Sequence, residues 1–386
     1  MDPPTAADGD GPLRGLRIGV KDNIDVAGVP STCGSAFFTD RVAGAHAEVV
    51  RRLIAAGARV TAKLNMAEFA VGVTSRNSAA GPVVNPWDPA RVPGGSSGGS
   101  GTAVAAGLVD ASLGTDTGGS VRLPAAACGV TGLRPTWGAI SNAGVFPVSE
   151  PFDTVGPMAR SVADVARIFD VLRTGPAAAG VARRIGVPDV FITDDVDPAV
   201  AAAVRAAADR FADLGYEVVP VAIPDAERAQ DIVYTLIYSD LARRHRERIL
   251  HSPELFQPAT LERVSLGLRI SDAERNAATA GRTAFRRGLA TVFDQVDIVL
   301  TPTMPTDVPL LDGGADVIAQ SRRMGQFSYP WSLHDGPTLA LPVGFHPDSG
   351  MPIGAQLTAA AHREAVLFEA GHRYQQVTHW HSARPR

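Results

Sequence analysis

The chain has only two cysteines in 386 residues, Cys33 and Cys128. A single pair cannot build the multi-bridge framework that staples small secreted domains. Neither cysteine stands in a CxxC or Cys/His spacing, so the sequence carries no zinc-ligand or dithiol motif. Both are expected to be small buried side chains in a reducing compartment. No apolar run is long and unbroken enough to span a membrane. The start, Met1-Asp2-Pro3-Pro4, lacks the basic residues and apolar stretch of a signal peptide. The expectation is a cytoplasmic protein with no membrane contact. Positive charge is not in excess either. The net charge is −4, which speaks against a nucleic-acid surface built from clustered Lys and Arg. The densest basic run, Arg243-Arg244-His245-Arg246, has Asp240 and Glu247 close by and reads as a solvated helix face.

What remains is an ordinary globular composition, 45% apolar and 20% charged. The length suits one large core or two to three average domains. Leu16 to Lys21 alternates like a strand, residues 45–56 read as a helix stopped at Gly57, and Ala58 to Leu64 as a second strand. Residues 75–101 are loop-rich, residues 101–109 are small and apolar as in a tightly packed helix, and Ala111 to Thr115 reads as a buried strand. From about residue 160, helical patterns (161–173, 197–213, 225–250, 272–293, 362–375) alternate with strand patterns (184–192, 216–222, 296–302, 338–344, 352–358). Such alternation predicts an α/β architecture with a mostly parallel or mixed sheet. Thr174 to Gly180 is a small-residue linker, but strands on both sides can join one sheet.

Two glycine loops stand out. The first, Pro93-Gly94-Gly95-Ser96-Ser97-Gly98-Gly99-Ser100, has no Lys followed by Ser or Thr, so it is not a P-loop. Its Gly94 to Gly98 stretch matches GxSxG, but a nucleophile elbow needs a strand directly before it. Pro89 and Pro93 argue against one there. The second loop, Asp116-Thr117-Gly118-Gly119-Ser120, follows the small-residue strand. Two adjacent glycines let consecutive N–H groups point at one spot, an oxyanion site beside a Ser120 nucleophile. A plain glycine turn is the other reading. Pro124 is placed to start a short helix just beyond.

A serine nucleophile needs a base. The nine histidines are scattered, mostly late in the chain, with His379 and His381 in a polar tail. Lys21 ends an apolar strand and is followed by Asp22-Asn23. A buried lysine accepts a proton once its pKa has fallen far enough. A strand-end salt bridge to Asp22 or Asp25 would explain it equally well.

These pieces occur in one order along the chain. Gly19-Val20-Lys21-Asp22-Asn23-Ile24-Asp25 is followed by Pro93 to Ser100, then by Gly114-Thr115-Asp116-Thr117-Gly118-Gly119-Ser120-Val121-Arg122 and Cys128-Gly129-Val130-Thr131-Gly132-Leu133-Arg134-Pro135-Thr136. That string resembles the amidase signature family, over residues 15–165 and again around Asp297 to Thr303 and Ala340 to Gly344. The resemblance implies a single domain over 1–386, an α/β/α sandwich around a large, mixed, twisted sheet. It implies a Ser–cis-Ser–Lys triad: Ser120 as nucleophile, Ser96 as relay on a cis peptide bond with Gly95, and Lys21 as base. The N–H groups of Thr117, Gly118, Gly119 and Ser120 would hold the oxyanion, Ser97 would support the network by hydrogen bonding, and Asp116 and Arg122 would brace it. Met66, Phe69, Tyr329 and Trp331 fall at pocket-wall positions.

The implied reaction is hydrolysis of a small carboxylic amide through an acyl-enzyme, with no metal and no organic cofactor. Acyl transfer to an amine, or service as an amidotransferase subunit in a tRNA-dependent complex, are the alternatives. A small-molecule substrate, no nucleic acid and a homodimer are the partners compatible with this reading. Members of that family usually carry a helical segment before the lysine strand, where this chain has residues 1–15. After Phe327-Ser328-Tyr329-Pro330-Trp331-Ser332-Leu333 come His334-Asp335 in place of small residues. An Asp near Asp335 is similar to the amidases of urea derivatives.

Overall fold

Ten strands form one mixed sheet: β1 (Arg17–Lys21), β2 (Arg59–Leu64), β3 (Ala111–Asp116), β4 (Thr131–Arg134), β5 (Thr154–Ala159), β6 (Arg184–Val187), β7 (Glu217–Pro220), β8 (Ile298–Pro302), β9 (Thr338–Phe345) and β10 (Pro352–Ala359). The computed structural model describes residues 11–176, 180–188, 195–312 and 316–385. The spatial order is β2-β1-β3-β5-β4-β9-β10-β8-β6-β7. Both outer groups are parallel, β2-β1-β3 at one side and β8-β6-β7 at the other. The strands between, from β3 through β5, β4, β9 and β10 to β8, pair antiparallel. This is the mixed sheet that the alternating pattern predicts, with strands drawn from both halves of the chain.

The expected helices form close to their patterns. Residues 45–56 give α1 (Glu48–Ala55) and 161–173 give α4 (Val162–Leu172), which starts with the Ser161 side chain accepting from the Asp164 N–H. The strand expected over 184–192 is observed as β6, and residues 189–192 lie outside the described residues. β4 and β5 were not legible as strands. Gly132 interrupts one and Gly156-Pro157 the other, and both are buried throughout, so no polar alternation marks them.

Helices cover both faces of the sheet. On one, α1, α4 and the helices Pro198–Asp213 and Glu364–Val377 bury Val49, Leu53, Val165, Ile168, Val204, Phe211, Val366 and Leu367 against strand residues such as Ile18, Val20, Ile298 and Leu357. On the other, α2 (Gly98–Ala105) and α3 (Arg122–Cys128) pack together over β3, β9 and β10. The tight packing expected over 101–109 is found at 101–105 only: the helix runs from Gly98, inside the first glycine loop, to Ala105, and Ala106 to Leu108 are exposed. Gly101 shows why small residues stand there: a Cβ would lie 3.0 Å from the Pro124 carbonyl oxygen of α3. α3 itself begins two residues before Pro124. Pro124 is tolerated because the first-turn N–H groups have no partner within the helix. A second core joins the helices Ala226–His251 and Asp272–Phe293 to the segment around Phe69 and to Tyr329–Leu333.

Candidate active site

Lys21 is the last residue of β1, and it is fully buried. β1 runs parallel to β3 with Val20 opposite Leu113, so the lysine lies beside the carboxyl end of β3. Its Nζ donates to Ser96 Oγ at 2.7 Å and to Thr115 Oγ1 at 2.8 Å. No salt bridge to Asp22 or Asp25 forms: Asp22 pairs with Lys63, and Asp25 with Arg41. Burial brings the Lys21 pKa down from 10.5 to about 7, although the Asp116 and Asp153 carboxylates favour its charge. A lysine of that pKa is neutral often enough near neutral pH to accept a proton.

Ser96 follows a cis peptide bond with Gly95. Ser96 and Ser97 are both buried without exposed area. Ser97 ties the two glycine loops together. Its N–H donates to the Ser120 carbonyl at 3.2 Å, its hydroxyl to the Thr115 carbonyl at 3.2 Å, and it accepts from the Thr115 N–H at 3.3 Å.

Asp116 organises the second loop. It is buried and accepts from the Gly119 N–H at 2.8 Å, the Val121 N–H at 3.2 Å and both arms of Arg122, Nε at 2.9 Å and Nη2 at 3.0 Å. Arg134 Nη1 approaches the same carboxylate at 3.3 Å. Burial opposes the charge of Asp116, but the Arg122 and Arg134 guanidiniums and the Val121 N–H outweigh it. They hold the carboxyl well below the usual carboxylate range. The Gly119 N–H is thus engaged by Asp116. The N–H groups of Thr117, Gly118 and Ser120 have no acceptor among the described residues. Gly119 has φ +127°, and a Cβ there would lie 2.4 Å from Ser328 Oγ.

Ser120 lines a narrow cavity of about 60 Å³ together with Thr117 and Gly118. The other walls are apolar, from Val71, Val73, Val148, Val233, Ile237 and Leu241, with Tyr234, Tyr238, Tyr329, Ser321 and Arg263 as the polar groups. The Tyr234 and Tyr329 hydroxyls are 3.1 Å apart. Of the five pocket positions singled out in the sequence, only Tyr329 lines this cavity. Met66 is core. Phe69 sits in an aromatic cluster with Phe37, Phe38, Phe146, Phe256 and His245. Trp331 is buried, with Nε1 donating to Thr301 Oγ1 at 3.2 Å. Asp335 forms ion pairs with Arg282 and Arg286. The basic run 243–246 is also not a uniform solvated face. Arg243, Arg244 and Arg246 are exposed, whereas His245 turns inward and is fully buried.

Sequence reading missed several side chains of the site. Thr115, the second partner of Lys21, stood inside the quoted nucleophile string beside Asp116 and could have been found there. Asn23, whose Nδ2 donates to Thr115 Oγ1 at 3.1 Å, directly follows Lys21-Asp22. Asp153, Tyr234 and Arg263 had no local signal. They are far from the motifs in sequence and are brought in by β5 and by the helices Ala226–His251 and Pro258–Leu266. Among the described residues, no group of three or more His, Cys, Asp or Glu could hold a metal, and no helix is long and apolar enough to cross a membrane.

A buried Lys21–Ser96 pair beside the glycine loop that carries Ser120, on a ten-stranded mixed sheet, fits a hydrolase of carbon–nitrogen bonds. The chain belongs to the amidase family, whose model matches residues 3–368. It is 38% identical to a glutamyl-tRNA(Gln) amidotransferase subunit of Chloroflexus aurantiacus, over 97% of this chain and 85% of that protein. A crystal structure of an amidase is 35% identical to it, with a TM-score of 0.86 over 95% of this chain and 85% of the other. 6-Aminohexanoate cyclic dimer hydrolase in complex with its substrate is 29% identical, with a TM-score of 0.89 over 98% of this chain and 88% of the other.

Proposed function

We propose that the protein hydrolyses a small carboxylic amide through an acyl-enzyme on Ser120. The observation that carries this reading is the hydrogen bond from a buried Lys21 of lowered pKa to Ser96. Neutral Lys21 accepts the Ser96 proton while Ser96 accepts the proton of Ser120. Ser120 Oγ then attacks the amide carbonyl. The unpartnered N–H groups of the Thr117 to Ser120 loop stabilise the oxyanion. Ser96 returns a proton to the departing nitrogen as the C–N bond breaks, and Lys21 replaces that proton on Ser96. Water, deprotonated along the same route, attacks the acyl-enzyme and releases the acid. The narrow apolar cavity suits a short acyl group, and the tyrosine hydroxyls and Arg263 in its wall suit a polar atom on that group.

A second reading follows from the similarity to glutamyl-tRNA(Gln) amidotransferase subunits. In it, the same acyl-enzyme forms from an amide donor and the released ammonia serves a partner. Two measurements separate the readings. Purified chain is screened against aliphatic, aromatic, peptide-terminal and urea-type amides, and the Ser120→Ala variant must lose every activity found. Glutaminase activity that appears only with co-purified subunits would favour the second reading.

A further inference from the structure

Asp153 stands just before β5, is buried, and belongs to no motif in the sequence. Its carboxylate gathers donors from two walls of the cavity. The Thr117 hydroxyl donates to Oδ1 at 2.7 Å, and Thr117 is in the loop that carries Ser120. The Val148 N–H donates to Oδ2 at 2.8 Å, and the Ser149 N–H approaches both oxygens at 3.2 and 3.1 Å. Val148 is itself a cavity wall. Ser149 continues outward, its hydroxyl donating to Asp240 Oδ2 at 2.6 Å on the helix Ala226–His251. That helix supplies Val233, Tyr234, Ile237, Tyr238 and Leu241 to the cavity. All of these bonds are donated to Asp153 or to Asp240; an amide in place of Asp153 would keep one oxygen for the Val148 and Ser149 N–H groups but present its NH2 to Thr117, whose hydroxyl would have to turn from donor to acceptor.

We propose that Asp153 is a positioning residue that locks the Thr117 to Ser120 loop to the cavity wall at Val148–Ser149, so that the nucleophile and the acyl site keep one relative placement. The inference rests on Ser120 being the nucleophile. Charged groups surround Asp153 on several elements. Lys21 on β1 and Arg134 on β4 are attracted to it, and Asp116 at the end of β3 is a like charge acting on the same two cations. On the helix side stand Asp240, paired with Arg275, and Arg282, whose guanidinium lies 3.9 Å from the Phe152 ring centroid. Burial raises the Asp153 pKa to about 6, against the Thr117, Val148 and Ser149 donors. It therefore carries its charge over the range in which Lys21 titrates, and that charge favours protonated Lys21. Removing it should leave Lys21 neutral down to a lower pH.

The test uses the rate at which a fluorophosphonate probe labels Ser120, measured against pH, which needs no knowledge of the natural amide. Thr117→Val should label about tenfold to a hundredfold more slowly at the plateau, as displaced reacting groups do. Thr117→Ser, which keeps the hydroxyl, should recover most of the rate. Thr117→Ser should leave the acid limb where it is, because it keeps the donor to Asp153. Asp153→Asn should lower the plateau and also shift the acid limb down by about half a pH unit, the direction expected when an opposite charge is removed. Wild-type rates in Thr117→Val, or a folded Asp153→Asn with an unmoved acid limb, overturn the proposal. If Asp153→Asn does not fold, the two Thr117 variants decide alone. A wild-type protein that never labels overturns the acyl-enzyme reading, and this inference with it. A labelled wild type with indifferent variants overturns this inference only.

Discussion

Arg122 grips Asp116 with two parallel hydrogen bonds, Nε to Oδ2 at 2.9 Å and Nη2 to Oδ1 at 3.0 Å, both residues being without exposed area. The same guanidinium reaches the Ser328 carbonyl and the Ser332 hydroxyl, each at 2.8 Å. Arg122→Met therefore removes the bidentate partner of a buried carboxylate, leaving it with Arg134 and the Gly119 and Val121 N–H groups. We expect a loss of about 3–5 kcal/mol of stability, read as a lower urea midpoint, together with loss of turnover. Arg122→Lys restores one point of contact and not the fork, so it should recover only part of either.

The pH dependence follows from Lys21. In the proposed mechanism the neutral amine is the active form, so activity should rise with pH through about 7 and level off above it. Stability moves in the same direction. Between about 7 and 10.5 the folded chain has lost the Lys21 proton while the unfolded chain still holds it. Stability therefore climbs with pH across that window, and this contribution is at its lowest once pH has dropped below about 7. Lys21→Met should be inactive, more stable than the parent at neutral pH, and without that part of the slope. Melting temperatures taken across the pH range check the sign.

His245 is buried among Phe69, Phe146 and Phe256, and neither ring nitrogen has a hydrogen-bond partner. Burial, with Arg248 and Arg244 adding to it, pushes its pKa from 6.5 down to about 3. As pH falls below about 6.5 the unfolded chain binds this proton first, so stability is lost progressively towards pH 3. His245→Leu should raise stability by about 1 kcal/mol at neutral pH, because it removes unsatisfied buried polar atoms. It should also lose less stability on acidification, as thermal or urea unfolding would show.

Gly119→Ala places a methyl group against Ser328 at a φ that favours glycine. A cost of about 1–3 kcal/mol is expected. Activity should fall further than stability alone explains, because Ser120 is the next residue. Comparing probe labelling at a temperature where both proteins remain folded separates the two effects.

The residues of the proposed triad were more legible in the sequence than the cavity wall was. Lys21, Ser96 and Ser120 lie within short motifs whose glycines and small residues the local backbone requires, and their order is itself informative. The fold was legible wherever a helix or strand showed one polar and one apolar side. It was hidden at β4 and β5, buried on both faces and broken by glycine and proline. His245 was misread because one inward position in a charged run is set by helix rotation, which composition does not report. Asp153, Val148, Tyr234 and Arg263 belong to the site only through contacts between distant segments. Trp331 and Phe69 show the converse. An aromatic residue near a motif fills core more readily than it faces a ligand, because most of its area is apolar.

The groups that would carry the chemistry lie between Lys21 and Asp153, whereas the helix Ala226–His251, Arg263 and Tyr329 supply much of the cavity wall. In the proposed reading the reacting groups all lie on the first stretch, while the cavity wall is shared between it, through Val71, Val73 and Val148, and the later helix. If the cavity holds the acyl group as proposed, variation at Val233, Ile237 or Leu241 retunes which one is accepted while the lysine, both serines and their bracing carboxylates stay as they are. A library confined to those helix positions samples new amides from a fixed reaction centre.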